Sequence, residues 1–353
     1  MAAYSLPKRL LHWYAVAAAA MVLLLICSGG LVTSHEAGMS VPDWPNSFGY
    51  NMFLFPLSRW VGGVFFEHTH RLIASGVGLV TVALCVALIV IEERRWVKTL
   101  GVIAVAAVIV QGILGGLRVT ENNAALGLFH GCLAQSFFAL MATIALVTSR
   151  FWLRLAQPIT NQQSPITSGL RSHRRWALLV TAMVFVQLVL GASMRHSHAG
   201  LSITDFPLSY GHLFPPLDSA SLAQINQARG AAAQPYTSAA LILLQYVHRI
   251  WALLIAVGLV FVAVRLIRDR ALLAFFRRCA SLWILLVIVQ LCLGAWTVLS
   301  NKAADVATSH VACGALTLML GVLLTVGLSG LMYYNTNGLS HSGVPRSIEL
   351  GTV

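Results

Sequence analysis

Long apolar runs separated by short polar segments dominate the pattern of the chain. A run of about 20 apolar residues is long enough for a helix to cross the hydrocarbon core of a bilayer. The pattern therefore predicts an all-α polytopic membrane protein, which we expect in the plasma (inner) membrane. The eight predicted transmembrane helices are 11–33, 69–91, 97–118, 125–148, 175–195, 241–265, 278–299 and 307–330.

The distribution of charge predicts the orientation of these helices. Hydrophobic residues make up 58% of the 353 positions and charged residues only 10%, far less charge than a soluble domain carries. Of the 23 Lys and Arg residues, 16 fall on one side of the predicted spans and 7 on the other. The positive-inside rule makes the first side cytoplasmic, so we expect both termini there and the loops 34–67 and 196–240 outside. The excess of Lys and Arg on the cytoplasmic side explains the net charge of +12. The sequence has no basic face interleaved with aromatic residues, so nucleic-acid binding is not indicated.

The two halves of the chain resemble each other in four short segments that occur in the same order. Four matches in register indicate an internal duplication, with four helices in each half and both halves starting in the cytoplasm. The predicted fold is two pseudo-symmetric four-helix bundles related by a two-fold along the membrane normal. The matches are AGMSVPDWP (37–45) with AGLSITDFP (199–207), EHTHRL (67–72) with QYVHRI (245–250), QGILGGLRV (111–119) with QLCLGAWTV (290–298), and LFHG (128–131) with TSHV (308–311).

The duplication sets the predicted domain boundaries. Residues 1–150 form the N-terminal half, and residues 175–334 form the C-terminal half. The basic segment 151–174 is predicted to be a cytoplasmic linker between them. The polar tail 335–353 is predicted to be cytoplasmic and mobile.

Four histidines occupy equivalent places near the outer ends of alternate predicted helices. They are His70 and His130 in the first half, and His248 and His310 in the second. One such histidine alone would be read as an interfacial side chain bonded to water or a carbonyl, but a duplicated pair weakens that interpretation. Two imidazoles on facing helices of a four-helix bundle can bind haem iron axially. Zinc or copper usually needs three or four clustered ligands, and no matched Cys, Asp or Glu accompanies these histidines on their helices, so haem is favoured.

Charged residues beside these histidines offer further candidate chemistry. Arg71 and Arg249 directly follow a histidine, where a guanidinium group could pair with a haem propionate or extend to lipid headgroups. Glu67 aligns with the neutral Gln245, which predicts that the two sites differ. Glu67 lies one helical turn before His70, where its carboxylate could stabilise positive charge or move a proton. The structural alternative is an i,i+4 ion pair with Arg71.

Other polar residues are expected to be structural. Gln111 and Gln290 recur at matched positions within helices and are predicted to hydrogen bond to neighbouring helices. Five histidines have no histidine counterpart in the other half, and we expect them to be solvated loop or interface residues. They are His35, His68, His196, His198 and His212.

These residues resemble those of the haem A synthases. The matching features are GGLVTSHEAGMSVPDWP (29–45), Glu-x-x-His-Arg at 67–71, His130, the His-Arg pair at 248–249, and His310. The resemblance covers about residues 8–330 and all eight predicted spans. Together, these features in this topology are far more specific than any one of them alone.

The resemblance implies a reaction, a division of labour and a set of partners. Haem A synthases oxidise the C8 methyl group of haem O to a formyl group, which supplies haem A to terminal oxidases. The N-terminal half, with Glu67, His70 and His130, would hold haem O, and the C-terminal half would hold a bis-His haem b that relays electrons. The implied reaction is two successive hydroxylations with molecular oxygen and an external reductant, followed by loss of water. Haem O synthase and the terminal oxidase assembly machinery are the implied protein partners.

Two other functions remain compatible with parts of this pattern. A di-haem b-type electron carrier linked to quinol would need the same four histidines, but it has no evident need for an acid at one site only. A transporter or haem exporter could also be built from parallel repeats. That function predicts ionisable groups through the depth of the bundle, whereas the predicted helix centres are nearly free of charge.

Overall fold

The computed structural model describes residues 5–155 and 166–341, and these residues contain ten α-helices and no β-strand. Eight helices are long and apolar enough to cross a membrane, which confirms the predicted number of spans. The helices are α1 Leu6–Ser34, α2 Gly62–Ile91, α3 Arg95–Thr120, α4 Ala124–Thr148, α5 Arg150–Leu155, α6 Ile166–His196, α7 Ser219–Ala231, α8 Ala239–Arg268, α9 Ala274–Leu299 and α10 Ala304–His341.

Most of the spanning helices extend beyond the predicted apolar runs. Helix α2 begins at Gly62, so the polar segment 66–71 lies inside the helix rather than at its first turn. Helix α8 begins at Ala239, and the side chain of Ser238 caps it by accepting a hydrogen bond from Leu241 N. A hydropathy pattern marks only the part of a helix that matches the hydrocarbon thickness, so the polar turns at the membrane surface were missed.

Helical structure also extends into the segments predicted as linker and tail. The short helix α5 occupies Arg150–Leu155, and α6 is already helical at Ile166. The remaining linker residues, 156–165, lie outside the described residues. Helix α10 continues to His341, and positions 342–353 of the predicted mobile tail lie outside the described residues.

Helices α4 and α10 form the centre of the bundle. Their most apolar stretches are 67% and 56% buried, compared with 17–33% for the other spans. They pack against each other, α4 also contacts α1, α3 and α6, and α10 also contacts α1, α6 and α9. Because the halves meet through α1, α4, α6 and α10, two of the four candidate histidines lie on the helices that join the halves.

Aromatic side chains fill the bundle away from the candidate histidines. Three glycines of α10 let rings from neighbouring helices lie directly on its backbone, as small residues commonly do in membrane helix packing. The resulting close contacts fix the position of α10, which carries His310. The pairs are Gly321 with Trp283, Gly327 with Phe276, and Gly330 with Trp152.

Candidate functional site

The four predicted ligand histidines lie in the first three turns of α2, α4, α8 and α10. Each imidazole points its Cε1 atom at a glycine of an adjacent helix, so the same contact occurs four times. A methyl group on any of these glycines would lie 3.0–3.2 Å from that atom, which is too close for comfortable packing. The pairs are His70 with Gly29, His130 with Gly115, His248 with Gly191, and His310 with Gly294. None of these four contacts was predicted from the sequence.

The state of the ring nitrogens fits ligation of a metal ion. The Nδ1 atoms of His70, His248 and His310 are buried and hydrogen bond to no described residue. A buried nitrogen without a partner is costly, and an ion or a water molecule ordinarily satisfies it. The four side chains as a whole stay partly accessible. Each site therefore offers donor atoms that the protein itself leaves uncommitted.

The donor set fits haem better than a zinc-type site. In the described part of the chain, no three His, Cys, Asp or Glu side chains come together as a cluster that could hold a metal ion. Pairs of histidines without other ligands are typical of axial ligation of haem iron. His130 also has the accompanying feature of such ligands, because its Nδ1 lies 3.2 Å from the carbonyl oxygen of Gln111. Donation from Nδ1–H to this carbonyl leaves Nε2 unprotonated for a metal ion.

Glutamines connect the histidine-bearing helices to their neighbours. Gln111 Nε2 donates to the carbonyl of His130 at 3.1 Å, which confirms the predicted interhelical role of Gln111. Gln290 Nε2 lies 3.5 Å from the Nε2 of His310. Gln187 on α6 donates to the carbonyl of His248 at 3.0 Å, a role that the sequence analysis missed.

Glu67 and Gln245 anchor the two outer loops through equivalent bonds. The Oε2 atom of Glu67 accepts from Val41 N at 2.9 Å, and Oε1 of Gln245 accepts from Ile203 N at 2.6 Å. Glu67 also forms an ion pair with Arg71 at 2.7 Å, in which both side chains are less than 10% exposed. The structural alternative predicted for Glu67 is thus present, and the chemical role of its carboxylate stays a prediction.

Arg71 and Arg249 hold the outer loops against the helices. Arg71 donates to the carbonyls of Asp43, Asn46 and Val41, and also to Glu67. Arg249 donates to three carbonyls of the second loop in the same manner, those of Leu208, Ile203 and Asp205. The terminal nitrogens of both guanidinium groups are therefore engaged by the protein. The contact between these arginines and haem propionates stays a prediction. Only the Nε–H of each guanidinium group remains to make that contact.

The two loops share a second set of contacts around an aspartate. Asp43 accepts from the backbone N–H groups of Phe48 and Gly49, and Asp205 accepts from those of Tyr210 and Gly211. Partial burial alone would raise the pKa of both carboxyl groups. The backbone N–H donors and the nearby arginine outweigh it, so the pKa of each lies below its ordinary value. Both loops also contain a cis proline bond, Trp44–Pro45 and Phe206–Pro207.

One expectation about the unmatched histidines is wrong. His68 is fully buried rather than solvated, and its Nδ1 lies 3.1 Å from the hydroxyl of Ser47. The rings of Phe55 and Trp60 pack against it, so His68 fixes the first outer loop on α2. The second loop instead contains helix α7, which Arg229 ties to the carbonyls of Pro235 and Leu201.

Comparisons with known proteins find relatives that cover most of this chain. Residues 12–322 match the family of cytochrome oxidase assembly proteins, COX15-CtaA. The "Heme A synthase" of Shouchella clausii is 29% identical over 292 residues, 80% of this chain and 84% of the relative. That of Symbiobacterium thermophilum is 31% identical over 60% of this chain and 68% of the relative. That of Shewanella oneidensis is 25% identical over 90% of this chain and 95% of the relative.

Proposed function

The chain belongs to the family of cytochrome oxidase assembly proteins, and from this membership we propose that it is an oxidoreductase that converts haem O to haem A. The observation that carries the proposal is the fourfold contact between histidine and glycine, which presents in each half two imidazoles that keep a ring nitrogen free of hydrogen bonds to described residues. The relatives that share this chain's length are named for the same product.

We propose that residues 1–150 form the half that binds haem O and that residues 175–334 form the half that binds a haem b. His70 and His130 would hold the substrate in the first half. His248 and His310 would hold the haem b, which supplies one-electron transfer when bound. The difference between Glu67 and Gln245 supports this division, because the two residues share a scaffolding bond but only Glu67 carries a charge.

The oxidised group is the C8 methyl of haem O, by analogy with the family. Two hydroxylations, each consuming molecular oxygen, two electrons and two protons, give a geminal diol that loses water to leave a formyl group. Glu67 is the acid of this half, and its carboxylate is held by Val41 N and Arg71. In this position it can stabilise positive charge that develops on the substrate, or accept a proton from it.

The protein is a multi-pass membrane protein, and we propose that it lies in the inner membrane with its haem sites toward the outer face. The support is the distribution of Lys and Arg, 16 against 7. The even number of spans returns α10 to the side on which α1 begins. The outer loops between α1 and α2 and between α6 and α8 lie at the end that carries the histidines.

Haem extraction and chromatography test the proposal. The purified protein is co-expressed with a source of haem O, beside the variant His70→Ala. We expect haem A with the wild type and none with the variant, while both retain haem b in the C-terminal half. Haem b alone in both proteins, despite available haem O, would contradict the synthase and favour the electron carrier.

A further inference from the structure

We propose that Arg118 binds a propionate group of the substrate haem, with His196 beside it, and so sets the orientation of the substrate in the N-terminal half. The inference rests on the proposed function, since it assumes that haem O occupies this half. It assigns to Arg118 the role that the sequence suggested for Arg71.

Arg118 lies where three elements meet next to the candidate ligands. It is in the last turn of α3, and its guanidinium group packs against Gly38 of the first outer loop. Its Nε also lies against Gly127 of α4, which is one helical turn before His130. The charge of Arg118 acts on both His70 and His130, which places it within electrostatic range of both ligands.

The guanidinium group of Arg118 is uncommitted. It forms no hydrogen bond or ion pair with any residue in the described part of the chain, and Glu67 acts on it only through space. Arg71, by contrast, has four acceptors, one of which is the carboxylate of Glu67. A partly buried guanidinium group without an acceptor has a strong preference for an anion, and its fork of donors matches a carboxylate.

Arg195 places a second positive charge near Arg118, and no acid among the described residues contacts Arg118. Arg195 and His196, at the end of α6, reach it from the C-terminal half, and the ring of His196 lies on Gly127. Arg195 is fixed by bonds to the carbonyl of Gly30 at 2.6 Å and to the hydroxyl of Ser34 at 2.9 Å. Arg118 and Arg195 repel each other across this interface. A dicarboxylate ligand such as haem would relieve this repulsion.

The C-terminal half lacks this group. The position that aligns with Arg118 is Thr297, whose hydroxyl donates to the carbonyl of Leu293 in its own helix. The glycine that corresponds to Gly38 is Gly200, and a lysine side chain, that of Lys302, lies there. A lysine supplies a point charge, whereas arginine fixes the plane and direction of a carboxylate. Arg118, which can bind a carboxylate through two hydrogen bonds, therefore lies in the N-terminal half. This is the half in which one methyl group of haem O must be positioned for oxidation.

This placement connects binding with the site of reaction. In haem O the C8 methyl shares its pyrrole ring with one of the two propionates. Fixing that propionate therefore fixes the methyl group, because the macrocycle is rigid. If haem O were rotated about the axis between its two histidine ligands, a different edge of the macrocycle would occupy the place of the C8 methyl group.

The test combines a change in the protein with a change in the ligand. Purified protein that holds haem b in its C-terminal half is titrated with haem O and with haem O dimethyl ester, and binding is followed by absorbance. We expect the wild type to bind the free acid about 10- to 100-fold more tightly than the ester, the range for a charge-assisted hydrogen bond. Arg118→Gln should bind both forms alike, and Arg118→Lys should retain part of the preference. Arg59→Gln removes one positive charge from an exposed turn of the same loop and is the matched control.

The experiment distinguishes failure of the proposal about Arg118 from failure of the proposed function. If the wild type forms haem A and prefers the free acid, but Arg118→Gln and Arg118→Lys keep the whole preference, Arg118 does not bind the propionate. If the wild type neither binds haem O nor forms haem A, the proposed function itself fails. An unchanged spectrum of the haem b shows that each variant is folded.

Discussion

Replacing Glu67 by glutamine separates the scaffolding role of this residue from its chemistry. Gln245 shows that an amide can make the loop bond at this position, since its Oε1 accepts from Ile203 N at 2.6 Å. In Glu67→Gln the amide oxygen can accept from Val41 N in the same way. What is lost is the negative charge and its ion pair with Arg71.

The expected loss of stability is modest. Removing one partner of a buried ion pair costs about 3–5 kcal/mol when the other charge is left alone. Arg71 is not left alone, because the carbonyls of Val41, Asp43 and Asn46 still accept from it. We therefore expect a cost of about 1.5–3 kcal/mol, the value of one hydrogen bond to a charged group. Glu67→Ala should cost more, because it also leaves Val41 N buried without an acceptor.

The assay measures haem binding and haem A formation in the same preparations. If the carboxylate stabilises charge or moves a proton, Glu67→Gln should lower the rate of haem A formation by about 10²-fold or more. The content of haem O and haem b per protein should stay close to that of the wild type. The reciprocal variant, Gln245→Glu, controls for the introduction of a charge at the equivalent place in the C-terminal half.

One result would refute this reasoning about Glu67. Full activity in Glu67→Gln, with unchanged haem content, would show that the negative charge is not needed. The ion pair with Arg71 would then be only a structural feature of the first outer loop. Loss of both haem O binding and haem b binding would instead show that the variant does not fold, and Glu67→Asp would then be measured for partial recovery of activity.

Three further results are expected. His248→Ala or His310→Ala should remove the stable haem from the purified protein while leaving the polypeptide in the membrane, as measured by haem content per protein. Gly191→Val should do the same by displacing the ring of His248, whereas Gly78→Val, where an added Cβ meets nothing within 4 Å, should retain the haem. The low pKa of Asp43 means that its contribution to loop stability is complete above the ordinary carboxyl pKa and is lost only as the pH falls through the lower folded value. The first outer loop should therefore resist limited proteolysis at pH 4, and Asp43→Asn should abolish the pH dependence.

The spans and the candidate ligands could be predicted from the sequence for physical reasons. A bilayer requires long apolar helices, so the eight spanning helices appear in the sequence as long apolar runs. Histidines are rare enough in such runs that duplicated ones are conspicuous. The pairing of Glu67 with Arg71 was also accessible, because residues four apart on a helix are neighbours.

The contacts between distant segments could not be predicted in the same way. Nothing local shows that Gly29 of α1 faces His70, or that Arg195 of one half bonds to Gly30 of the other. The burial of His68 was missed because it depends on a loop that folds back onto α2. The loop bonds of Arg71 were likewise not visible, because nothing local shows that its terminal donors reach the carbonyls of Val41 and Asp43.

The duplication offers a criterion for separating scaffold from chemistry in this protein. A contact made identically in both halves serves what the halves have in common, which is the folding of an outer loop onto two helices and the presentation of two imidazoles. The bonds of Arg71 and Arg249 are of this kind. Some residues differ between the halves at a matched position although the local fold is the same. Such a residue is a candidate for a function that only one half performs. Glu67 and Arg118 are such residues, both lie in the N-terminal half, and the charge of Arg118 acts on His70 and His130 of that half. If both residues act as proposed, one acid and one guanidinium group distinguish the half that oxidises one methyl group of a large, nearly symmetric substrate.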